Sequence, residues 1–184
     1  MRPWNRRRTV PAVSAALLLT GTAVAVLLLT SPARPELDED LLRAVAPVVH
    51  TDLPTNRKVV WPSQPGGRWF CAQRPVEIRR DGDDVRLGLI ANCSMYVRRD
   101  AALVLSGGFS GGLVAVLTPG PDGYRVRDVE VPVDGAGNAE SLKRMFSTAG
   151  YEEVRRSTGR TGLDPTPQAR AAFGLPANAP VASR

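Results

Sequence analysis

Few residues in this sequence belong to the types that bind metals or carry out acid–base and nucleophilic chemistry. The 184 residues include two cysteines, one histidine and two lysines. A structural zinc ion usually takes four cysteine or histidine ligands, and Cys71, Cys93 and His50 cannot supply that set. We therefore expect neither a metal site nor a bound cofactor.

A concentrated basic surface is also missing, although the formal net charge is +6. Residues 1–33 contain four arginines and no acidic residue, and the remaining basic residues nearly balance the 18 acidic ones. Beyond residue 33 the two signs are interleaved, as on an ordinary solvated surface. Nucleic-acid binding needs clustered positive charge that displaces counterions, so we expect no nucleic-acid partner.

A single long hydrophobic run is present, from Val10 to Thr30. It contains no charged residue and is about long enough to cross a ~30 Å hydrocarbon core. Arginines precede the run and acidic residues follow it, so the positive-inside rule places the chain from residue 34 onward outside the cytoplasm. Residues 1–33 are predicted to be a signal-anchor of a single-pass membrane protein. The alternative is a cleaved signal peptide and a secreted protein.

The stretch from Trp69 to Cys93 predicts a β-hairpin. Asp81-Gly82 lies between alternating apolar residues, which favours a two-residue type I′ turn at that dipeptide. The resulting register places Ile78 opposite Val85. Apolar pairs then share one face of the hairpin, and pairs of opposite charge share the other.

The two cysteines lie near the open end of this hairpin. The predicted register sets Cys71 opposite Asn92, one residue short of Cys93. A β-bulge that adds one residue to the second strand near Gly88 would bring the cysteines together. Since the domain is predicted to be exported, we expect a Cys71–Cys93 disulfide.

The remaining elements follow from hydrophobic periodicity and turn residues. Residues 36–53 predict an amphipathic helix that Pro47 bends or ends. The glycine-rich residues 106–112 predict a hairpin loop between strands at 101–105 and 113–118. The next predicted strand, 124–131, changes parity and needs a bulge at Arg127-Asp128. A second helix is predicted from Asn138 to a C-terminal Gly150, with a further short element within 151–158.

These elements predict an α+β fold with an N-terminal membrane helix, a helix packed on a curved antiparallel sheet of about five to six strands, and a C-terminal helix. The predicted extracytoplasmic domain spans residues 34–158. Residues 159–184 are rich in Pro, Ala, Gly and Arg and predict a mostly disordered tail.

Two resemblances accompany this fold. The order of elements is loosely similar to cystatin-like and NTF2-like folds. The hydrophobic segment, the stretch WFCAQRPVEI, the paired cysteine and the turn PGPDGYRV resemble uncharacterised extracytoplasmic proteins of high-GC actinobacteria, over residues 1 to about 150. The second resemblance implies a location outside the cytoplasm and no particular activity.

Ser110 lies in the one stretch that resembles a catalytic motif, GFSGG, which fits G-x-S-x-G. The nucleophile elbow requires a strand–turn–helix and a later histidine, whereas an apolar run typical of a strand follows Ser110 and His50 precedes it. A Ser-Lys dyad would depend on Lys58 or Lys143, and neither is placed beside Ser110 by the pattern. A non-enzymatic protein is the favoured interpretation, and a serine hydrolase using Ser110 is the alternative.

Trp61, Trp69, Phe70 and Tyr96 lie near the disulfide end of the predicted hairpin. They are interpreted as core and disulfide cover, with the alternative that they line the mouth of an apolar ligand pocket. The leading functional hypothesis is a domain at the cell envelope that binds a protein or a small apolar ligand. A purely structural role at the envelope is the further alternative.

Overall fold

The computed structural model describes residues 35, 37–157, 159 and 161–183. The chain divides into two units, Met1–Ala33 and Arg34–Arg184, and the description concerns the second. No helix among the described residues has the length and apolar character needed to span a bilayer. The predicted membrane segment from Val10 to Thr30 lies outside the described residues.

The domain has an α+β fold, as the sequence predicts. Its strands are β1 (Gly67–Asp81), β2 (Asp84–Arg99), β3 (Ala102–Gly120), β4 (Gly123–Glu130) and β5 (Val181–Ser183). Its helices are α1 (Glu39–Asp52), α2 (Asn138–Met145), α3 (Thr148–Ser157) and α4 (Thr166–Ala172). Single 3₁₀ turns follow α1 at Leu53–Thr55 and precede α2 at Gly135–Gly137.

The sheet is mixed rather than wholly antiparallel. Strands β1 to β4 form an antiparallel meander in the order β1-β2-β3-β4. The short strand β5 pairs in parallel with the start of β3, on the same side of β3 as β4. The chain therefore returns to the middle of its own sheet near its C-terminal end.

Helices cover both faces of the sheet. On one, which we call the α1 face, Leu41, Val45 and Val49 of α1 join a large aliphatic core with alternate residues of β1, β2 and β3. The opposite face, which we call the α2–α4 face, carries two smaller cores. One contains α2 and α3 residues and the other contains Ala169 of α4.

Helix α1 begins one residue after Asp38, whose Oδ1 accepts a hydrogen bond from the backbone N–H of Leu41 at 2.9 Å. This is an N-cap, and it satisfies a donor that the first helical turn leaves open. The helix continues past Pro47 to Asp52. The three buried residues Leu41, Val45 and Val49 are spaced by four, so they form one stripe that faces the sheet.

The β1–β2 hairpin forms, but its turn lies one residue later than predicted. Asp81 pairs with Asp84, so the loop residues are Gly82 and Asp83. Gly82 has φ +60° and Asp83 has negative φ, which are the signs of a type II′ turn rather than the predicted type I′. Ile78 accordingly lies opposite Leu87 and not opposite Val85.

The predicted bulge exists in the opposite strand. The register shifts between Pro75 and Glu77 on β1, so Val76 is the extra residue and β2 has no insertion at Gly88. With the later turn, an extra residue on β1 is what sets Cys71 opposite Cys93. The predicted disulfide between them is confirmed.

Strand β3 runs without interruption through the glycine-rich residues that predicted a loop. Residues 102–120 form one strand, and Asn92 of β2 pairs with Ser110 at its centre. Pairing along the whole of β2 outweighs the turn preference of glycine. The predicted bulge in β4 is confirmed, since the register shifts at Arg127 and brings Val126 and Val129 to the same core.

The C-terminal third differs most from its prediction. The helix expected to end at Gly150 is two helices, and Gly150 lies inside the second of them. Residues 166–172 form α4 and residues 181–183 form β5, where composition predicts a mostly disordered tail. Phe173 packs on Phe70 with ring centroids 6.0 Å apart, so contacts with a distant strand order this segment.

Candidate ligand-binding cleft

An open cleft of about 540 Å³ lies on the α1 face, between α1 and the first two strands. Its floor contains Leu87 and Leu89 of β2, each 1% exposed. Pro75 of β1 and Leu42 and Ala46 of α1 form its apolar walls. This volume lies within the range of roughly 300–1,000 Å³ that is usual for small-molecule sites.

The spacing of α1 residues explains how the cleft arises. The stripe of Leu41, Val45 and Val49 contacts the core directly. Leu42, Ala46 and His50 follow one residue later at the same four-residue spacing, so they form the adjacent stripe on the side of β1. Helix α1 therefore leaves part of the surface over β1 and β2 open.

Gln73 supplies an unusual polar group to this cleft. On β1, Gln73 comes two residues after Cys71 and four after Trp69, so all three side chains lie on the α1 face. The Gln73 Oε1 atom is buried and has no hydrogen-bond partner among the described residues. An unpaired buried acceptor loses about 1–3 kcal/mol of solvation, so the great majority of such atoms are paired in folded proteins.

Glu39, Arg43 and His50 form the solvent-facing rim of the cleft. The guanidinium of Arg43 lies 2.8 Å from Asp40 Oδ1, with side chains 75% and 91% exposed. An ion pair this exposed contributes little energy. The cleft thus combines an apolar interior, one buried acceptor and a rim of mixed charge.

The four aromatic residues predicted to line one pocket mouth are divided by the sheet. On the α1 face, Trp61 packs edge-on against Trp69 with centroids 4.6 Å apart, and Trp69 Nε1 donates to the carbonyl oxygen of Trp61 at 3.0 Å. On the α2–α4 face, Phe70 and Tyr96 pack in the core that includes α4. Tyr96 Oη is 2.9 Å from Thr166 Oγ1.

Each aromatic pair therefore has a packing role of its own. Phe70, Tyr96 and Phe173 hold the C-terminal segment, whereas Trp69 covers the disulfide end of the α1-face core. Trp61 is 47% exposed and borders a separate groove with Trp69, Val60 and Pro62. None of the four lines the cleft beside α1.

Ser110 lies on the face of the sheet opposite His50. Alternation along β3 places Ser110 with its neighbour Gly112 on the α2–α4 face, where Gly112 meets Val154 of α3. His50 belongs to α1 and to the cleft. The sheet thus separates the only histidine from the motif serine.

The lysines required by a Ser-Lys dyad have other partners. Lys58 Nζ lies 2.6 Å from Asp128 Oδ1, and Lys143 Nζ lies 2.9 Å from Glu140 Oε1. Within the described part of the chain, no three His, Cys, Asp or Glu side chains are grouped as metal ligands.

The residues that form the cleft were not identified from the sequence. The sequence patterns assign no role to Leu87, Leu89 or Gln73. A signal existed in the alternation of β1, where Gln73 continues the inward series begun by Trp69 and Cys71. A polar residue at an inward-facing strand position is a marker of a site.

We compared the chain with models of protein families, with curated proteins and with solved structures, and none of them matches it.

Proposed function

We propose that this protein is a non-enzymatic binding domain that holds a small apolar ligand in the cleft between α1 and the sheet. The observation that carries the proposal is an apolar cleft of about 540 Å³ lined by Gln73, whose Oε1 atom is buried and unpartnered. Rotation of the Gln73 side chain towards the cleft would let a ligand donate a hydrogen bond to this oxygen. The expected ligand therefore has an apolar body and at least one N–H or O–H group.

We further propose that the domain acts outside the cytoplasm, tethered by residues 1–33 or released from them. The hydrophobic run from Val10 to Thr30 and the arginines before it support this location. The Cys71–Cys93 disulfide also supports it, because disulfides persist in oxidising compartments. Small apolar molecules at the cell envelope are the substances such a domain would meet.

The test uses N-phenyl-1-naphthylamine, an uncharged apolar fluorophore with a single N–H donor. Detergent would take up this probe, so binding is measured on residues 34–184 after a cooperative melting transition has shown that the fragment is folded. Ala46→Trp fills the cleft and should weaken binding at least tenfold. Ala44→Trp, on the exposed side of the same helix, is the matched control and should leave binding unchanged.

The role of Gln73 is tested by removing the acceptor. Gln73→Met should weaken probe binding by about two- to tenfold, since a net hydrogen bond contributes roughly 0.5–1.5 kcal/mol. Gln168→Met, at an exposed position of α4, should have no effect. The loss should vanish with 1-phenoxynaphthalene, in which oxygen replaces the N–H. Equal binding of the probe to the Ala46→Trp and Ala44→Trp variants would refute the proposed site.

A further inference from the structure

Part of the outer edge of β3 is left without a partner strand. On that side β5 pairs with residues Leu103 to Leu105, and β4 pairs with residues from Val114 onward. Among the described residues, no strand pairs with 106–113 on this side. The gap is a recess in the sheet, with one strand standing at each end.

The backbone groups in this recess point outward. Along a β-strand, residues whose side chains share a face direct their backbone N–H and C=O groups to the same edge. Leu103, on the α2–α4 face, donates its N–H outward to the carbonyl oxygen of Pro180 at 3.0 Å. The bulge at Ser106 changes the parity of β3, so beyond it Gly108 and Ser110 occupy that face. Their donors and acceptors therefore also point outward, and both residues are exposed.

The stretch has few of the features that usually prevent strand addition at an exposed edge. Charged side chains, proline and bulges discourage another chain from pairing there. The free edge strand at the other side of the sheet, β1, has Arg68, Arg74 and Pro75, and a bulge at Val76. Residues 106–113 contain neither a charged residue nor a proline, and their one bulge is at Ser106, at the end of the recess beside β5.

A small uncharged pocket adjoins the recess. It has a volume of about 440 Å³, and its lining includes Asn92, Ser94, Gly108, Ser110 and Ser183. An added strand would direct every second side chain towards this pocket. The lining has no charged residue, so it favours small or polar uncharged side chains.

We propose that this recess binds an extended, uncharged peptide segment of a partner protein by β-strand addition. Main-chain hydrogen bonds provide the affinity in this mode, and pockets for alternate side chains provide the specificity. The accessible residues 106–111 span roughly 20 Å at ~3.3 Å per residue, which suits a segment of about six residues. Strand β5 already pairs in this way on the same edge, immediately beside the recess.

A second copy of this chain does not fit the recess. The same edge of another copy is flanked by its own β4 and β5, so the two recessed edges are held apart by the strands at their ends. Strands must approach to about 4.8 Å to pair. A segment with a free extended backbone can enter where another recessed edge cannot.

The test uses a phage-displayed library of random seven-residue peptides, panned on the full-length protein in detergent micelles. Enriched peptides are synthesised, and hydrogen exchange of the protein is followed by mass spectrometry with and without each peptide. We expect slowed exchange at the amides of residues 106–111. We also expect loss of binding when alternate peptide nitrogens are N-methylated, which removes donors without changing the protein.

Variants of the protein provide the second measurement. Ser110→Lys places a charge in the recess and should weaken peptide binding at least tenfold. Thr51→Lys, at an exposed hydroxyl residue of α1, is the control and should leave it unchanged. The proposal is overturned if no peptide is enriched above empty micelles, if protection falls elsewhere, or if residues 106–111 become protected by self-association alone.

Discussion

The two faces of the sheet are covered in different ways. On the α1 face, one helix packs on a continuous layer of aliphatic residues, and several strand side chains there are completely buried. On the α2–α4 face, three shorter helices share two small cores. The stability of the packing on the α1 face depends on buried apolar area. On the α2–α4 face it depends on how closely the helices approach the strands.

Small residues and directed polar contacts permit that close approach. A Cβ atom added at Gly112 would lie 2.7 Å from Val154 Cγ1, so α3 could not pack at its observed distance on a larger residue. The buried carboxylate of Glu77 accepts hydrogen bonds from the backbone N–H and the hydroxyl of Ser147, just before α3 begins. The Ser147 Oγ in turn accepts from the N–H of Gly150 at 3.0 Å.

The largest expected effect is on the α1 face. Leu117 is completely buried there, so Leu117→Ala should lower the free energy of unfolding by about 2–5 kcal/mol. Leu142→Ala, in the smaller core on the other face, should lower it less, because that residue is 7% exposed and its site can relax. Urea unfolding of residues 34–184 measures both. Equal losses of unfolding free energy in the two variants would mean that the two faces do not differ in this way.

An intermediate effect is expected where α3 approaches the sheet. Gly112→Ala should destabilise the domain by about 1–3 kcal/mol, because the new methyl group overlaps Val154. Gly111→Ala is the matched control, since its Cβ would meet Phe109 Cζ at an ordinary 3.8 Å.

A double-mutant cycle sharpens this prediction. The double variant Gly112→Ala, Val154→Ala should lose less free energy of unfolding than the two single variants lose in total. The reason is that Val154→Ala removes the atoms that the new methyl group would overlap. Additive losses in urea unfolding would mean that the close approach of α3 to Gly112 does not limit stability.

The smallest expected effect concerns a surface pair beside the α1 face and its dependence on pH. The hydrogen bond from Lys58 holds the pKa of Asp128 below its ordinary value of 3.8, with a further contribution from the Val129 N–H. A folded-state pKa below the unfolded one stabilises the fold above the unfolded pKa, and this stabilisation is lost as pH falls through the folded-state pKa. The side chains are 54% and 42% exposed, so solvent screening limits the contribution to less than about 1 kcal/mol.

Lys58→Met should therefore be slightly less stable than the wild type at pH 7, and the difference should shrink at pH 3 and below. Urea unfolding at the two pH values checks this, with Arg99→Met as the control, since Arg99 is an exposed cation that forms no ion pair among the described residues. A difference that stays constant with pH would mean that the pair does not stabilise the fold.

Local patterns predicted the elements whose partners are close in sequence. The disulfide hairpin, the parity change in β4 and the helix within 36–53 follow from alternation, turn residues and the three- and four-residue spacing of apolar side chains, all readable over a few residues. The turn shifted by one residue because Gly82 supplies the positive φ both in Asp81-Gly82 and in Gly82-Asp83. Sequence alone does not rank these two neighbouring turns.

Contacts between distant residues decided what the patterns did not predict. Glycine at 107, 108, 111 and 112 is typical of a loop, yet β2 pairs across all of them and α3 uses the space above Gly112. Residues 166–183 have few large apolar side chains, but Ala169 is buried and Phe173 is partly buried in a core with Phe70 and Tyr96, far earlier in the chain. The cleft depends on where α1 crosses the sheet, and Gln73 lines a cleft only because of the position of that helix.

The Cys71–Cys93 bridge also has a mechanical consequence. The bonded residues are 22 positions apart, so about 75 Å of contour, at ~3.4 Å per residue, is bypassed when the chain is pulled from its ends. Tension would pass directly through the sulfur atoms, and the hairpin turn would carry no load. Reduction during stretching would release this hidden length in one step, which a force–extension trace would record as a single lengthening event.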